Sequence, residues 1–152
     1  MGDIVWHGHH EDDCPLEELD GTIADRVREI VMNKPVIQQE IRLRLLKMCS
    51  PNAVILYDAF RVAEAPIWET HWEAYRLLWA QYEAVRAAPD PKTRATLWAA
   101  YQAARAKFLA PIQAARAPLL APILALHATE CGCTEWNGTE IVFPPSPSTE
   151  DI

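Results

Sequence analysis

The sequence predicts an all-α protein of about five helices, arranged as an antiparallel bundle or an array of helical hairpins, and three observations carry that prediction. An 11-residue unit recurs in the second half: 97–107 (LWAAYQAARAK) matches 78–88 (LWAQYEAVRAA) at seven positions, and 108–118 and 119–129 each keep six residues of the block before. Eleven residues are three helical turns at 3.67 per turn, so the repeat returns the same residues to one helix face. Three cap-then-proline or cap-then-acid signals mark helix starts in the first half. Half of the residues are apolar, six are Trp and only five are Gly, which suits a packed helical protein of 152 residues with one core.

Residues 1–20 read as an irregular acidic, His-rich arm in which Ile4-Val5-Trp6 forms a short strand. Three short helices are predicted over 22–65. Thr22 is the N-cap of the first, with Asp25 three residues on and Ile23, Val27, Ile30 and Val31 as its buried face. Pro35 opens the second, where a missing N–H costs nothing, and Ile37, Ile41, Leu45 and Met48 form its face. Ser50-Pro51 opens the third, with Val54, Leu56, Tyr57 and Phe60 inward, to about Ala65.

A long helical hairpin is predicted over 66–129. Pro66 either starts a new helix or kinks the old one, and Ala88-Pro89-Asp90-Pro91 breaks the chain into antiparallel neighbours. The first, fifth and eighth repeat positions give a stripe of Leu97, Tyr101, Ala104, Phe108, Ile112, Ala115, Leu119, Ile123 and Leu126, with Leu78, Tyr82 and Val85 on the partner helix. Phe108 and Ile112 are expected in the core. Pro111, Pro118 and Pro122 oppose a straight helix at roughly 3 kcal/mol each, so a bend or a break near Pro111 or Pro118 is expected. Residues 130–143 hold Cys131-x-Cys133 and an Asn137-Gly138 hairpin turn. Glu140-Ile141-Val142-Phe143 echoes Asp3-Ile4-Val5-Trp6, which predicts a small β-ribbon from the two termini. One domain then covers 1–143, and the proline-rich 144–152 is expected to be a disordered tail.

A formal net charge of −7 argues against direct nucleic-acid binding, which needs Lys and Arg on phosphates. Residues 1–33 carry nine acids against two Arg, whereas 84–128 carry six bases and one acid. The acidic stretch reads as a solvated segment lying against the basic helix, or as a surface that inhibits a nucleic-acid-binding protein. No basic start and apolar run marks a signal peptide, and the apolar window 108–128 is interrupted by Gln113, Arg116 and three prolines. A cytoplasmic protein off the membrane is expected, with its four Cys as thiols or metal ligands.

His7, His9, His10 and Cys14 lie near one end of the sequence, and His127, Cys131 and Cys133 near the other. Imidazole and thiolate are the donors zinc takes in a closed tetrahedral site, so these seven are the candidate ligands. Glu64 and His71 share a helix face, but the helix from 92 to 128 supplies no Glu-x-x-His pair, which excludes a di-iron bundle. His71 occupies a stripe position and reads as a core imidazole. No phosphate loop, nucleophile elbow or Gly-rich fingerprint is present, and no catalytic residue is assigned.

Ala110-Pro111-x-x-x-Ala115, Ala121-Pro122-x-x-Ala125 and Ala100-Tyr101-x-Ala103 resemble the tandem 11-residue Ala/Tyr/Pro helices of small phage and prophage proteins, over roughly 67–129. The resemblance implies a bacterial or phage accessory protein and no activity. The functional expectation is a non-enzymatic helical protein that binds a protein partner or itself, with a structural zinc clasp. The alternatives are a metal-dependent enzyme using the His/Cys clusters and the acidic inhibitor.

Overall fold

The computed structural model describes residues 2–8 and 13–144. Among them lie β1 (Ile4–Trp6), β2 (Leu16–Glu18), α1 (Ile23–Asn33), α2 (Val36–Leu45), β3 (Lys47–Met48), α3 (Pro51–Arg86) and α4 (Pro91–Glu130). Two compact units contain them, Met1–Ala59 with Ala121–Ile152, and Phe60–Leu120. The protein is mostly helical, but with four helices among the described residues, and it also carries a three-stranded sheet. All but one residue of the expected tail lies outside the described residues.

In the first unit the strand order is β2-β1-β3, antiparallel throughout. Val5 pairs with Glu17 on one side and Met48 on the other. Both edges of β1 are thereby occupied, so Ile141-Val142-Phe143 does not pair with it as expected. Ile141 instead bridges Trp136 across the Asn137-Gly138 turn. There Gly138 takes a φ of +105°, and the Asn137 side-chain carbonyl accepts from Thr139 and Glu140 backbone N–H. The arm 1–20 is also more regular than expected, because it supplies β1 and β2.

The predicted starts of α1, α3 and α4 hold, and Pro35 falls one residue before α2. Thr22 and Asp25 form a capping box on α1, and the Asp3 carboxylate accepts from Ile23 N–H at 2.8 Å. Ser50 Oγ accepts from Ala53 N–H at the start of α3. The buried face of α1 differs: Ile30 is inside but Val27 and Val31 are exposed, and Arg26 is buried in their place. Val5, Leu19, Ile30 and Leu46 form the core, flanked by Ile23 and Leu43.

The third and fourth expected helices are one. α3 runs through Pro66, and α4 runs unbroken through all three of its prolines. A proline frees the carbonyl four residues before it. For Pro66, Pro111, Pro118 and Pro122 those carbonyls belong to Val62, Lys107, Ala114 and Pro118, and every residue named is exposed. Spacings of seven and four place the α4 prolines on one solvent-facing side, where water takes the freed carbonyls. The helix therefore survives without a break.

The second unit is a helical hairpin. Asp90 caps α4 by accepting from Thr93 N–H, and the turn falls at the predicted breaker. Tyr82 meets Tyr101, Tyr75 and His71 meet Phe108, and Glu64 pairs with Arg116, which fixes the antiparallel register. Of the stripe, Ile112 is fully buried whereas Phe108 is only half-buried. Ile112→Ala is thus expected to cost about 2–3 kcal/mol and Phe108→Ala less, by urea denaturation. Equal losses at both positions would contradict this burial.

α4 contains an 18-residue stretch long and apolar enough to cross a membrane, and only 17% of it is buried. That exposure is greater than the core-facing reading of the repeat expects.

Candidate metal centre

His7, His127, Cys131 and Cys133 converge in the first unit, with one donor atom from each lying within 4.8 Å of all the others. Their positions follow from local structure. His127 sits in the last turn of α4, and Cys131 N–H donates to the His127 carbonyl at 2.9 Å, which extends the helical turn. Gly132 then takes a φ of +61°, the left-handed conformation that glycine adopts without strain at a helix end, and the chain reverses to bring in Cys133. From the sheet side, His7 follows β1 directly and has a φ of +53°, unusual for a side chain that is not glycine.

That strained backbone is held at both sides. His7 N–H donates to the Pro15 carbonyl at 2.7 Å. The buried Arg26 guanidinium donates from Nε to the Gly8 carbonyl at 2.8 Å and also pairs with Glu29. Rings wall the site. Trp6 and Trp136 lie 5.3 and 5.0 Å from the His127 ring, and Trp136 also approaches His7. Lys47 Nζ donates to the Cys131 carbonyl, Ser50 Oγ donates to Glu130, and Arg44 pairs with Glu135, so the end of α4 is fastened to the strand and helices beside it.

The Nε2 atoms of His7 and His127 are 2.9 Å apart, and Cys133 Sγ is 3.3 Å from each. Two imidazole nitrogens so close need a proton or a cation between them. Around tetrahedral zinc, bond lengths of about 2.0–2.3 Å set donor separations of roughly 3.3–3.8 Å. The His7, His127 and Cys133 spacings need a few tenths of an ångström of opening, and the widest spacing of the group, up to 4.8 Å, needs about 1 Å of closing, so side-chain adjustment brings the four donors to the ion.

Burial sets the protonation. It depresses His7 to about 4, with the neighbouring His127 and Lys47 adding to the effect, and it lowers His127 as well. Burial, followed by the Cys131 thiol, raises Cys133 to about 11. Both imidazoles are thus neutral near pH 7 and available as ligands. In the metal-free protein, His7 binds fewer protons folded than unfolded. Its contribution to stability is intact above the ordinary value of 6.5 and is lost as pH falls through about 4. Urea midpoints of metal-free protein should fall across this window, and His7→Gln should flatten the fall; an unchanged slope in that variant would contradict the assignment.

The structure sorts the predicted ligands. Four of the seven come together, Cys14 is buried but outside the group, and His9 and His10 lie outside the described residues. Trp6, Arg26 and Trp136 were not among the predicted site residues, since an arginine on an amphipathic helix and isolated tryptophans carry no ligand signal. Glu64 holds Arg116, whose guanidinium also lies over the Phe60 ring, and His71 Nδ1 donates to the Ile67 carbonyl at 2.8 Å. No family model, curated protein or solved structure matches the chain.

Proposed function

We propose that this chain is a non-enzymatic helical interaction protein in which a structural zinc ion, held by His7, His127, Cys131 and Cys133, clasps the end of β1 to the end of α4. The observation that carries the reading is the convergence of four donor atoms within 4.8 Å. Two neutral imidazoles and two thiolates around a divalent ion sum to zero charge, which suits a buried site. Two soft sulfurs with two nitrogens favour zinc over magnesium or calcium. Four protein ligands also leave no open position for water or substrate, so a structural role is supported above the metal-enzyme alternative. The Ala/Tyr/Pro repeat supports an accessory protein of a bacterium or phage, and thiols in place of disulfides suit its cytoplasm.

Cobalt substitution tests the site. Tetrahedral Co2+ on two thiolates should give a strong visible spectrum that zinc displaces and that Cys133→Ser abolishes. A pale, octahedral spectrum would refute the four-ligand site. A second reading, the acidic inhibitor, is favoured by the groove of Glu17, Glu18, Asp20, Asp25 and Glu29 between β2 and α1. Salt-sensitive binding to a basic partner, lost on Glu17→Lys with Glu18→Lys, would support it.

A further inference from the structure

We propose that the aromatic flank of α3 in the second unit is the contact between two copies of this chain, paired antiparallel about a twofold axis between Glu73 and Ala74. The inference rests on the reading of the chain as an interaction protein and names its partner. Trp68, Trp72, Tyr75 and Trp79 follow one another at 4-3-4 spacing, which makes a single row on the helix. They are 36%, 56%, 37% and 51% exposed. Trp72 and Tyr75 stack at 5.6 Å, and with Arg76 and Trp79 they line a shallow groove. Four rings at this exposure leave on the order of 400 Å2 of apolar surface in water, comparable to the largest patches that monomers carry.

Three features select a second copy as the occupant. A 4-3-4 row reads the same in both directions, so reversing the helix sets Trp68 against Trp79 and Trp72 against Tyr75, twice over. A twofold interface requires that self-complementarity. The charges beside the row are complementary under the same reversal. Arg76 of one copy falls between the levels of Glu69 and Glu73 of the other; within its own chain it makes an exposed pair with Glu73 at 3.2 Å. The area is also of the right order. Both rows together bury roughly 800 Å2, and their flanking charged stems bring the total towards the 1,200–2,000 Å2 of a stable interface. Two hairpins so joined make a four-helix arrangement, which covers faces that one hairpin leaves in water.

The test is sedimentation equilibrium of the full chain, purified with its metal, from about 1 to 100 μM. The parent should dimerise. Trp72→Glu and Trp79→Glu should each weaken the dimer by roughly 30-fold or more while leaving the helical circular dichroism unchanged. Arg76→Glu should weaken it less, and Arg76→Glu with Glu69→Arg and Glu73→Arg should restore it. A parent that stays monomeric, or a dimer indifferent to both Trp substitutions, overturns the proposal. Vesicles of phosphatidylethanolamine and phosphatidylglycerol separate its failure from that of the interaction reading. A monomer that binds them through Trp72 loses the second copy but keeps an interacting surface, whereas a monomer that ignores them loses both.

Discussion

Stripping the metal with a chelator is expected to lower the melting temperature by roughly 10–15 °C. A site filled at about 1,000 times its Kd stabilises the native state by about 4 kcal/mol, and a chain of this size loses a few degrees for each. A zinc ion held there would join residues 120 positions apart in the sequence, His7 and His127, so its loss would free a long loop. Cys133→Ser should reproduce the shift without chelator, and adding chelator to that variant should do nothing more. Zinc binding must displace the protons of Cys131 and Cys133, the latter held up to about 11. Apparent affinity should therefore fall by up to about 100-fold per unit as pH drops below neutrality. Chelator-competition titrations at several pH values read this slope, and a flat profile would rule out thiolate ligands.

Trp6→Ala is expected to cost about 3–5 kcal/mol, the largest loss from any single truncation in the first unit. Trp6 is 2% exposed, lies in the central strand of the sheet and reaches the His127 ring. Its removal both empties the core and loosens one wall of the metal centre, so zinc affinity should fall as well. Ile30→Ala is the control. Ile30 is as deeply buried but belongs to the core around Val5 and Leu46, so that variant should lose stability and keep its zinc affinity. Equal metal loss in both variants would mean that the centre responds only to global unfolding.

The helix starts were legible because caps act locally: Thr22 with Asp25, Ser50 before Pro51 and Asp90 before Pro91 each satisfy orphan N–H groups within three residues. Helix continuity was not, since the cost of a proline depends on whether water reaches the carbonyl it frees, and exposure is a tertiary property. The strands were hidden for a different reason. β2 is Leu-Glu-Glu and β3 is Lys-Met, too short and too charged to show alternation, and their pairing with β1 is set by the surrounding chain. Ile141-Val142-Phe143 had the stronger strand character and lost the edge to them.

The four residues of the candidate metal centre were legible from residue type, and the meeting of the two clusters was anticipated by the wrong route. They meet because the last repeat delivers His127 where the earlier blocks place Arg86, Arg105 and Arg116, and because α4 ends at the Cys-x-Cys. Arg26 could not be read at all. Its burial depends on a carbonyl, that of Gly8, which only the fold brings to it.

Elemental analysis of the chain purified without a histidine tag tests the central claim most directly. About one zinc per chain is expected, falling below roughly 0.2 in Cys131→Ser and Cys133→Ser while Cys14→Ser keeps its metal. Less than about 0.2 zinc per chain in the parent after growth with zinc, or equal loss in Cys14→Ser, would contradict the four-ligand clasp.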